Sequence, residues 1–466
     1  MASDLANRSD ARSLTARFAA ACTEITYQSI PKRTRDWARL ILLDTLGVML
    51  SASRPVFPGV QKLSRFVRAE REDGPCLVVG TDLHTSAANA ALMNGWLGYA
   101  LDNESHHGPA VVHAAAAVLP AALAVAQQEG SDGASFLAAF ILGIDVDCRA
   151  ALAIGPNDLY ARGIHPTSVA GAFGAAAAAG LLLKLDARQM ENAFGLAANQ
   201  AGGLLAWASD QTEESRPFNP ALAARGGVTA ARLASLGFGG PRSIFDREAK
   251  YNAFRAWSLD GAGSPDRLLE GFGERFHIEE MIIKKHASCS FTHPAVDGLL
   301  SIMVEEGVSA EEITGMVVRY PRSGAHMIDN NELRSHRIQY ILPLAATRGR
   351  VEFEDVIFDR SSEPEIRRLA AAIQFIHDEE LDRFYPERYT TVITVSTRNR
   401  GSFTRRVEWA RGCPENPMSR EEIMEKYRHM AGQRVDARRG ERILSLIEEV
   451  DQPGRLAELC RELSVH

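Results

Sequence analysis

The chain has 466 residues, of which 45% are hydrophobic and 24% are charged, and its formal net charge is −7. This balance is typical of a globular protein and excludes disorder as the dominant state. A mildly acidic chain also argues against a nucleic-acid-binding protein, because such proteins gain much of their affinity by neutralising phosphates. The length exceeds what one hydrophobic core usually supports, so we expect two domains or one domain with a large insertion.

Three features of the sequence indicate where in the cell the protein is expected: its cysteine content, its N-terminal residues and one long uncharged run. The six cysteines are too few for a disulfide framework and form no CxxC pair, so we expect reduced thiols in a cytoplasmic protein. Residues 1–14 mix both signs of charge and lack an apolar run, which predicts no signal peptide. Residues 109–126 contain no Asp, Glu, Lys or Arg, but the run is short, rich in alanine and interrupted by Pro120. It predicts a buried helix rather than a membrane span.

Helical patterns dominate the first 265 residues. Apolar side chains recur at helical spacing, and the later segments are dense in alanine and glycine. We predict helices over 37–50, 131–155, 167–185, 188–207 and 219–238. Small side chains let helix axes approach closely, so these helices are expected to form a tightly packed bundle.

The sequence changes character near residue 266, where strand patterns join the helical ones. We predict a β-like stretch within 277–289, helices over 294–307 and 363–378, a strand over 313–321 and a hairpin over 389–412. The tail is predicted to be helical over 420–431 and from 441 onward. The predicted fold class is therefore mainly α, with a large helical domain interrupted by a smaller α+β domain. Its boundaries are predicted at 1–265 for the helical domain, 266–404 for the α+β domain and 405–466 for a helical return.

The first of four unusual polar stretches begins at Asp102. Two histidines follow it, His106 and His107, and His113 then opens the alanine-rich run. A position at the positive end of a helix dipole favours neutral imidazole, which is the form that a general base needs. A satisfied core histidine is the alternative interpretation of His113. These residue types also bind metals, but their spacing matches no strong metal motif, and we expect no metal.

The second and third stretches offer groups that bind carboxylates. His165 precedes a proline and a helix start, where free backbone N–H groups favour an anion, although capping by Thr167 or Ser168 explains the same pattern. Arg216 precedes another helix, and arginine can hold a carboxylate through two parallel hydrogen bonds. A surface arginine among acidic neighbours is the alternative.

The fourth stretch contains Lys284, with Cys289 and His293 close behind it. A lysine in an apolar cleft can have a lowered pKa and transfer protons, whereas an exposed Lys284–Lys285 pair would have no such role. Cys289 is either a nucleophile or a buried structural cysteine. Tyr340, one turn inside a predicted helix, is either a core tyrosine or a proton donor. The sequence has no GxGxxG, Walker A, GxSxG or HExxH motif, so no cofactor is expected.

Taken together, these stretches resemble the MmgE/PrpD family. The shared landmarks are LLDTLG at 42–47, MNGWLGYALD at 93–102, HAAAAVLPAALA at 113–124, RGIHPTSVAGAFGAAAAAGLL at 162–182 and the Lys-x-x-x-Ser-Cys-x-x-Thr-His pattern at 284–293. The resemblance implies a helical domain interrupted by an α+β lid, a cleft between them and a homodimer. It also implies action on small polycarboxylates without redox cofactors, as in 2-methylcitrate dehydratase, cis-aconitate decarboxylase and iminodisuccinate epimerase.

The family's active-site pattern falls on residues that the stretches already contain, namely Asp102, His113, His165, Lys284 and Tyr340. Arg216 stands where members carry a lysine, which keeps the charge. The first motif departs further, because members read Asp-Phe-Asp-Asp-Thr where this chain reads Asp-Asn-Glu-Ser-His at 102–106. The threonine position is therefore His106, an added imidazole that can move protons.

The resemblance implies proton transfer at a carbon next to a carboxylate as the shared chemistry. Removing that proton creates an enediolate-like dianion, and cationic groups must meet the developing charge. An epimerase needs a proton-transfer group on each face of the carbon, and the extra histidine fits this need. The first hypothesis is therefore a cofactor-independent epimerase of an iminodisuccinate-like amino polycarboxylate. The alternatives are a 2-methylcitrate-type dehydratase or cis-aconitate-type decarboxylase, and an inactive anion-binding dimeric scaffold.

Each candidate residue has a role under the epimerase hypothesis. His113 or His106 would serve one face of the carbon and Lys284 or Tyr340 the other. Asp102 would orient a histidine, while Arg216 and His165 would hold the substrate carboxylates. The partners expected are a small polycarboxylate and a second copy of the chain, with no nucleic acid and no membrane.

Overall fold

The computed structural model of the protein describes residues 13–210, 212–385 and 387–465. The fold is mainly α with a smaller α+β part, as the sequence predicts. The helices up to residue 257 are α1 (Leu14–Thr23), α2 (Lys32–Ala52), α3 (Pro58–Glu70), α4 (Ala87–Tyr99), α5 (Ala114–Glu129), α6 (Gly133–Ile154), α7 (Pro156–Ala161), α8 (Pro166–Leu182), α9 (Ala187–Ala198), α10 (Phe218–Ser235) and α11 (Ala253–Trp257). The later helices are α12 (His293–Glu305), α13 (Ile338–Arg348), α14 (Phe353–Ile357), α15 (Pro364–Ala371), α16 (Arg420–Ala431), α17 (Ala437–Glu448) and α18 (Arg455–Leu463).

Helix α8 lies at the centre of the helical part, where it packs against α5, α6 and α10. The small residues in these helices make the close packing possible. A Cβ atom at Gly174 would lie 2.6 Å from the carbonyl oxygen of Gly143, and one at Gly227 would lie 2.5 Å from the Cβ of Ala175. Larger side chains at these positions would force the helices apart, so the glycines fix the spacing of the bundle.

The alanine-rich run that resembles a membrane span forms α5, and residues 114–126 of this helix are all buried. Among the described residues, no helix is long and apolar enough to cross a bilayer. The helix predicted over 188–207 is shorter than expected and ends at Ala198. Gly202 has a φ of 158° and Gly203 packs against Ser168, so the chain leaves the helix there and forms a short 3-10 turn.

The strands form two small pairs and one larger sheet. The strands are β1 (Cys76–Leu77), β2 (His84–Thr85), β3 (His106–His107), β4 (Met281–Ile282), β5 (Ile313–Pro321), β6 (Ile373–Asp378), β7 (Thr391–Thr397) and β8 (Gly401–Val407). The larger sheet has the order β6-β5-β7-β8, and α12 packs against β7 and β8. The predicted strand over 313–321 and the predicted hairpin are both present.

The single helix predicted over 363–378 is wrong in its second half. Helix α15 ends at Ala371, and the chain then forms β6, which pairs in parallel with β5. The segment Ile373–Asp378 carries two β-branched isoleucines and a phenylalanine, which favour a strand once β5 offers an edge to pair with. The local pattern alone did not show that edge.

Two contacts between distant segments position the site. The short strand β3 pairs antiparallel with β4, with His106 opposite Ile282. Helix α16 packs against α2, where Lys426 Nζ lies 2.6 Å from Asp44 Oδ1. The residues just before β3 and just after β4 therefore lie side by side. Lys426 also donates to the carbonyl of Asn103 at 2.7 Å, so α16 contacts this segment.

Candidate active site

Lys284 lies between two carboxylates. Its Nζ atom is 2.5 Å from Asp102 Oδ1 and 3.1 Å from Glu104 Oε1, and it also donates to the Asp102 carbonyl at 3.2 Å. The β3–β4 pairing accounts for the contact, because Lys284 follows β4 by two residues and the two acids precede β3. The lysine is 1% exposed, so the exposed Lys284–Lys285 pair considered from the sequence is not what forms.

Arg216 adds a second buried cation to the same cluster. Its Nη1 lies 3.2 Å from Asp102 Oδ1, its Nε lies 3.5 Å from Glu213 Oε2, and its guanidinium stacks 4.6 Å from the centre of the Tyr99 ring. Within the described residues, Nε and Nη2 are buried without a hydrogen-bond partner. Nη2 of Arg216 is therefore a donor that the described residues leave available for an anion, whereas Nε faces Glu213.

Three histidines form a row beside the cations. His113 Nδ1 is 2.7 Å from Glu104 Oε1, and the His113 ring centre is 5.6 Å from that of His106 and 6.2 Å from that of His165. His113 and His165 stand at the starts of α5 and α8, as the sequence predicts. The backbone N–H of His113 donates to Thr167 Oγ1 at 3.0 Å, so the two helix starts meet at this point.

Burial and neighbouring charges set the protonation of the cluster. Burial lowers the pKa of His106, His113 and His165, and the three rings are therefore neutral near pH 7. Burial also works to lower the pKa of Lys284, but Asp102 and Glu104 outweigh it and the pKa is raised. Lys284 is consequently an ammonium that can donate a proton or stabilise charge, and it is not a free base.

Neutral His113 has the arrangement of a general base. Its Nδ1 lies 2.7 Å from Glu104 Oε1 without hydrogen-bond geometry, and the negative carboxylate favours the proton on this nitrogen, which leaves the lone pair on Nε2. The pKa of Glu104 is lowered, because Lys284 and His113 together outweigh the effect of burial. The resulting carboxylate–imidazole pair orients the ring and stabilises its protonated form.

The described residues contain an unusual concentration of buried polar atoms without partners around this cluster. These atoms are Asp102 Oδ2, Asn103 Oδ1, Glu104 Oε2, Ser105 Oγ, His106 Nδ1, His113 Nδ1, His165 Nδ1, Trp207 Nε1, Glu213 Oε2, and Nε and Nη2 of Arg216. Each such atom costs free energy in a folded protein unless something satisfies it. Such clustering is typical of a site that binds a small polar ligand.

The structure brings six of the seven predicted site residues together and leaves Tyr340 out. The six are Asp102, His106, His113, His165, Arg216 and Lys284. The Tyr340 hydroxyl instead donates to the carbonyl oxygen of Asp355 and accepts from the backbone N–H of Arg360 at 2.8 Å. It is thus bonded to main chain within the α+β part. Burial raises the pKa of the Cys289 thiol to about 12, which disfavours the thiolate that a nucleophile needs.

Several residues of the cluster were not assigned from the sequence. The sequence assigns no role to Glu104 or Glu213. Both are acidic residues close in sequence to a predicted site residue, and this is the one signal that the sequence offers for them. Tyr99 and Trp207 gave no signal, because aromatic residues at these positions read as ordinary core.

His107 belongs to a separate histidine–glutamate group. Its Nε2 lies 3.1 Å from Glu280 Oε2, and His277 Nδ1 lies 3.3 Å from the same oxygen. The three side chains are close enough to hold a metal ion. However, His107 Nδ1 accepts a hydrogen bond from the Ala110 N–H, so Nε2 must carry the proton that it donates to Glu280. Arg275 also pairs with Glu280, and this chemistry fits a hydrogen-bonded ion cluster better than a metal centre.

Comparison with known families gives the same assignment as the residue pattern. The models of the MmgE/PrpD N-terminal domain and the MmgE/PrpD C-terminal domain match residues 16–261 and 286–452. The chain belongs to the MmgE/PrpD family. This membership confirms the resemblance drawn from the sequence.

Curated members of the family are similar over most of the chain. Cis-aconitate decarboxylase of Homo sapiens is 26% identical over 458 residues, which cover 94% of this chain and 92% of that protein. Cis-aconitate decarboxylase of Aspergillus terreus is 26% identical over 466 residues, covering 94% and 93%. The cis-aconitate decarboxylase-like protein oryM of Aspergillus oryzae is 29% identical over 289 residues, and the match spans only 59% of that protein.

Proposed function

We propose that this chain is a lyase of small polycarboxylates and that it removes CO2 from a cis-aconitate-like tricarboxylate. The observation that carries the proposal is the buried pair of cations, Lys284 and Arg216, set among polar atoms that have no hydrogen-bond partner in the part of the chain that the structure describes. When the C–C bond to CO2 breaks, the electron pair stays on the remaining carbon and spreads into the conjugated carboxylate. Fixed cations in a water-poor site stabilise that charge strongly, and one proton then completes the product.

The relatives support decarboxylation over the epimerase hypothesis drawn from the sequence. Those compared above are named as cis-aconitate decarboxylases or as similar to one. The epimerase hypothesis placed Lys284 or Tyr340 on the second face of the carbon, and the protonation and bonding of these two residues do not suit that role. Lys284 is held as an ammonium by its two acids, and the Tyr340 hydroxyl is bonded elsewhere. Neither residue is then available as the second base.

Dehydration of a 2-methylcitrate-like hydroxy acid is the second candidate. The observation that favours it is the pairing of a neutral, Glu104-oriented His113 with the ammonium of Lys284. A dehydratase requires a base that takes the C–H proton and an acid that protonates the departing hydroxyl. This pair offers both groups within one cluster.

A panel of substrates followed by NMR separates these reactions. The protein is incubated in D2O with cis-aconitate, with 2-methylcitrate and with one enantiomer of an iminodisuccinate. We expect CO2 and an unsaturated dicarboxylate from the first compound. Water loss from the second would favour dehydration, and deuterium entry with loss of optical rotation in the third would restore the epimerase hypothesis.

Two lysine variants link the activity to the cluster. Lys284→Met removes the buried ammonium, and kcat/KM is expected to fall by about 10²-fold or more. Lys285→Ala is the matched control, because the adjacent side chain is exposed and should leave turnover unchanged. Retained activity in a folded Lys284→Met protein would contradict the proposal. Absence of turnover for every polycarboxylate, with tight binding of the anion, would favour the inactive scaffold.

A further inference from the structure

His336 lies at the edge of the cluster in a polar segment that precedes α13, and it is 7% exposed. A continuous series of contacts joins it to the cations. Ser335 Oγ lies 3.0 Å from His336 Nδ1 and donates to Glu213 Oε1 at 2.8 Å, while the other Glu213 oxygen lies 3.5 Å from Arg216 Nε. The carbonyl of Ser335 accepts from the Cys289 N–H at 3.0 Å, which ties this segment to the one that carries Lys284.

The hydrogen bonds of Ser335 fix which nitrogen of His336 carries the proton. A hydroxyl group has one proton, and Ser335 donates it to Glu213. Ser335 Oγ must therefore accept from His336, so Nδ1 is protonated and Nε2 keeps a lone pair. Within the described residues Nε2 has no hydrogen-bond partner. The arrangement parallels that of His113, whose Nδ1 faces Glu104.

The position of His336 places it apart from the row of three histidines. The Trp207 ring centre is 6.3 Å from that of His336 and 5.9 Å from that of His165, so the indole stands beside both rings. Burial, outweighing the opposing charge of Asp102, lowers the pKa of His336 to about 4, and the charges of Arg216 and Lys284 act in the same direction. The ring is therefore neutral until negative charge enters the site.

We propose that His336 is a further proton-transfer residue of the reaction assigned above, acting from the α+β part. Its Nε2 takes a proton from water as the polyanionic substrate enters and counters the charges of Arg216 and Lys284. After the C–C bond breaks and CO2 leaves, the Nε2–H bond breaks and a C–H bond forms at the carbon that holds the electron pair. The imidazole returns to its neutral form, and each turnover consumes one proton from water.

This role rests on the proposed function, and turnover is its first test. His336→Gln keeps a polar side chain of similar size but cannot transfer a proton. We expect kcat for CO2 release from cis-aconitate to fall by about 10²-fold, with KM changed only a few-fold. His326→Gln is the matched control, because this exposed histidine lies in the same part of the chain and should leave kcat unchanged. Wild-type kcat in His336→Gln would overturn the proposal.

Chemical rescue separates proton transfer from a structural role. Added imidazole should raise the kcat of His336→Ala by at least about tenfold, because the small base fills the space left by the side chain and supplies the missing proton-transfer group. Ser335→Ala leaves the imidazole but removes the group that orients Nδ1, so kcat should fall by a smaller factor and its pH profile should shift. A loss in His336→Ala that imidazole does not restore, in a protein with wild-type circular dichroism, would overturn the proposal.

A binding measurement tests His336 even if the proposed reaction is wrong. Tricarballylate, a saturated tricarboxylate, is titrated into the protein at pH 7 in a calorimeter. The titration is repeated in buffers of different ionisation enthalpy, because the change in measured binding enthalpy gives the number of protons taken up. The wild type should take up about one proton on binding, and His336→Gln should take up clearly less. Equal uptake by both proteins would overturn the assignment to His336. The proposed function is tested separately: if it is wrong, the wild type will release no CO2 from cis-aconitate.

Discussion

Lys284 and Asp102 are 182 residues apart in the chain, yet their side chains form an ion pair of 2.5 Å at the centre of the cluster. Asp102 also faces Arg216 at 3.2 Å, so one carboxylate serves two buried cations. Charge balance explains the arrangement, because two unpaired cations this deeply buried would be very costly. Both cations lower the pKa of Asp102 against the effect of burial, and it stays ionised at any physiological pH.

Asp102→Asn tests this shared carboxylate. Its loss leaves two buried cations without their common partner, and the free energy of unfolding should fall by about 3–5 kcal/mol, measured by urea denaturation. Asp82→Asn, which breaks an exposed pair with Arg68, should cost at most about 1 kcal/mol. Equal small effects of both variants would mean that Asp102 is not the partner on which the cations depend.

Arg216→Lys examines the guanidinium itself. Lysine keeps the charge but loses the planar guanidinium, whose Nη2 has no hydrogen-bond partner among the described residues and is available to a substrate carboxylate. We expect KM for the polycarboxylate to rise by about tenfold, with a smaller effect on kcat. Steady-state kinetics measure both constants, and Arg188→Lys on the exposed surface is the control. An unchanged KM would exclude Arg216 from carboxylate binding.

Stability should depend on pH through the buried histidines. Their pKa values are lowered in the folded protein, so below the unfolded value of about 6.5 the unfolded chain binds more protons. The free energy of unfolding must then fall as the pH drops from 7 to 5, by up to about 1.4 kcal/mol per pH unit for each such histidine. Asp102 contributes little to the change in this pH range. Its pKa is lowered in the folded protein, so its contribution to the free energy of unfolding is lost only in stronger acid.

Urea denaturation at several pH values measures this dependence. His165→Gln removes one of the histidines whose pKa burial lowers, so the slope between pH 5 and 7 should become shallower than that of the wild type. His326→Gln, at an exposed position, should leave the slope unchanged. A wild-type slope in His165→Gln would show that folding does not lower the pKa of this ring.

Tyr340→Phe tests whether Tyr340 belongs to the active site, as the family resemblance implies, or only supports the fold, as its hydrogen bonds indicate. The hydroxyl bonds to the main chain at Asp355 and Arg360, so its loss should lower the free energy of unfolding by about 1 kcal/mol. Because Tyr340 lies outside the cluster, kcat should remain within about twofold of the wild type. A large loss of kcat without loss of stability would mean that Tyr340 moves into the site when substrate binds.

The sequence predicted those parts of the molecule that local patterns determine. The alanine-rich helices, the β7–β8 hairpin and the histidines at the starts of α5 and α8 follow from periodicity, turn residues and helix-start signals. The second half of the helix predicted over 363–378 failed, because β6 exists only where β5 offers an edge. Secondary structure of this kind depends on a partner that the local sequence does not contain.

The site residues also divide into those that the nearby sequence indicates and those that depend on contacts between distant segments. Asp102, His113 and Lys284 stood out by residue type and neighbourhood, and the structure brings them together. His336 gave no signal, because its role depends on a hydrogen bond from Ser335 to Glu213, a residue 122 positions away. Protonation was also beyond the sequence, since the raised pKa of Lys284 results from two acids that only the folded chain supplies.

A crystal structure with tricarballylate bound tests the central claim most directly, because it shows where a polycarboxylate sits without requiring turnover. We predict one carboxylate within about 3 Å of Arg216 Nη2 and the ligand's carbon chain between Lys284 and the ring of His113. Density for the ligand in a different cavity, with the cluster unchanged and still unoccupied at saturating concentration, would contradict the account.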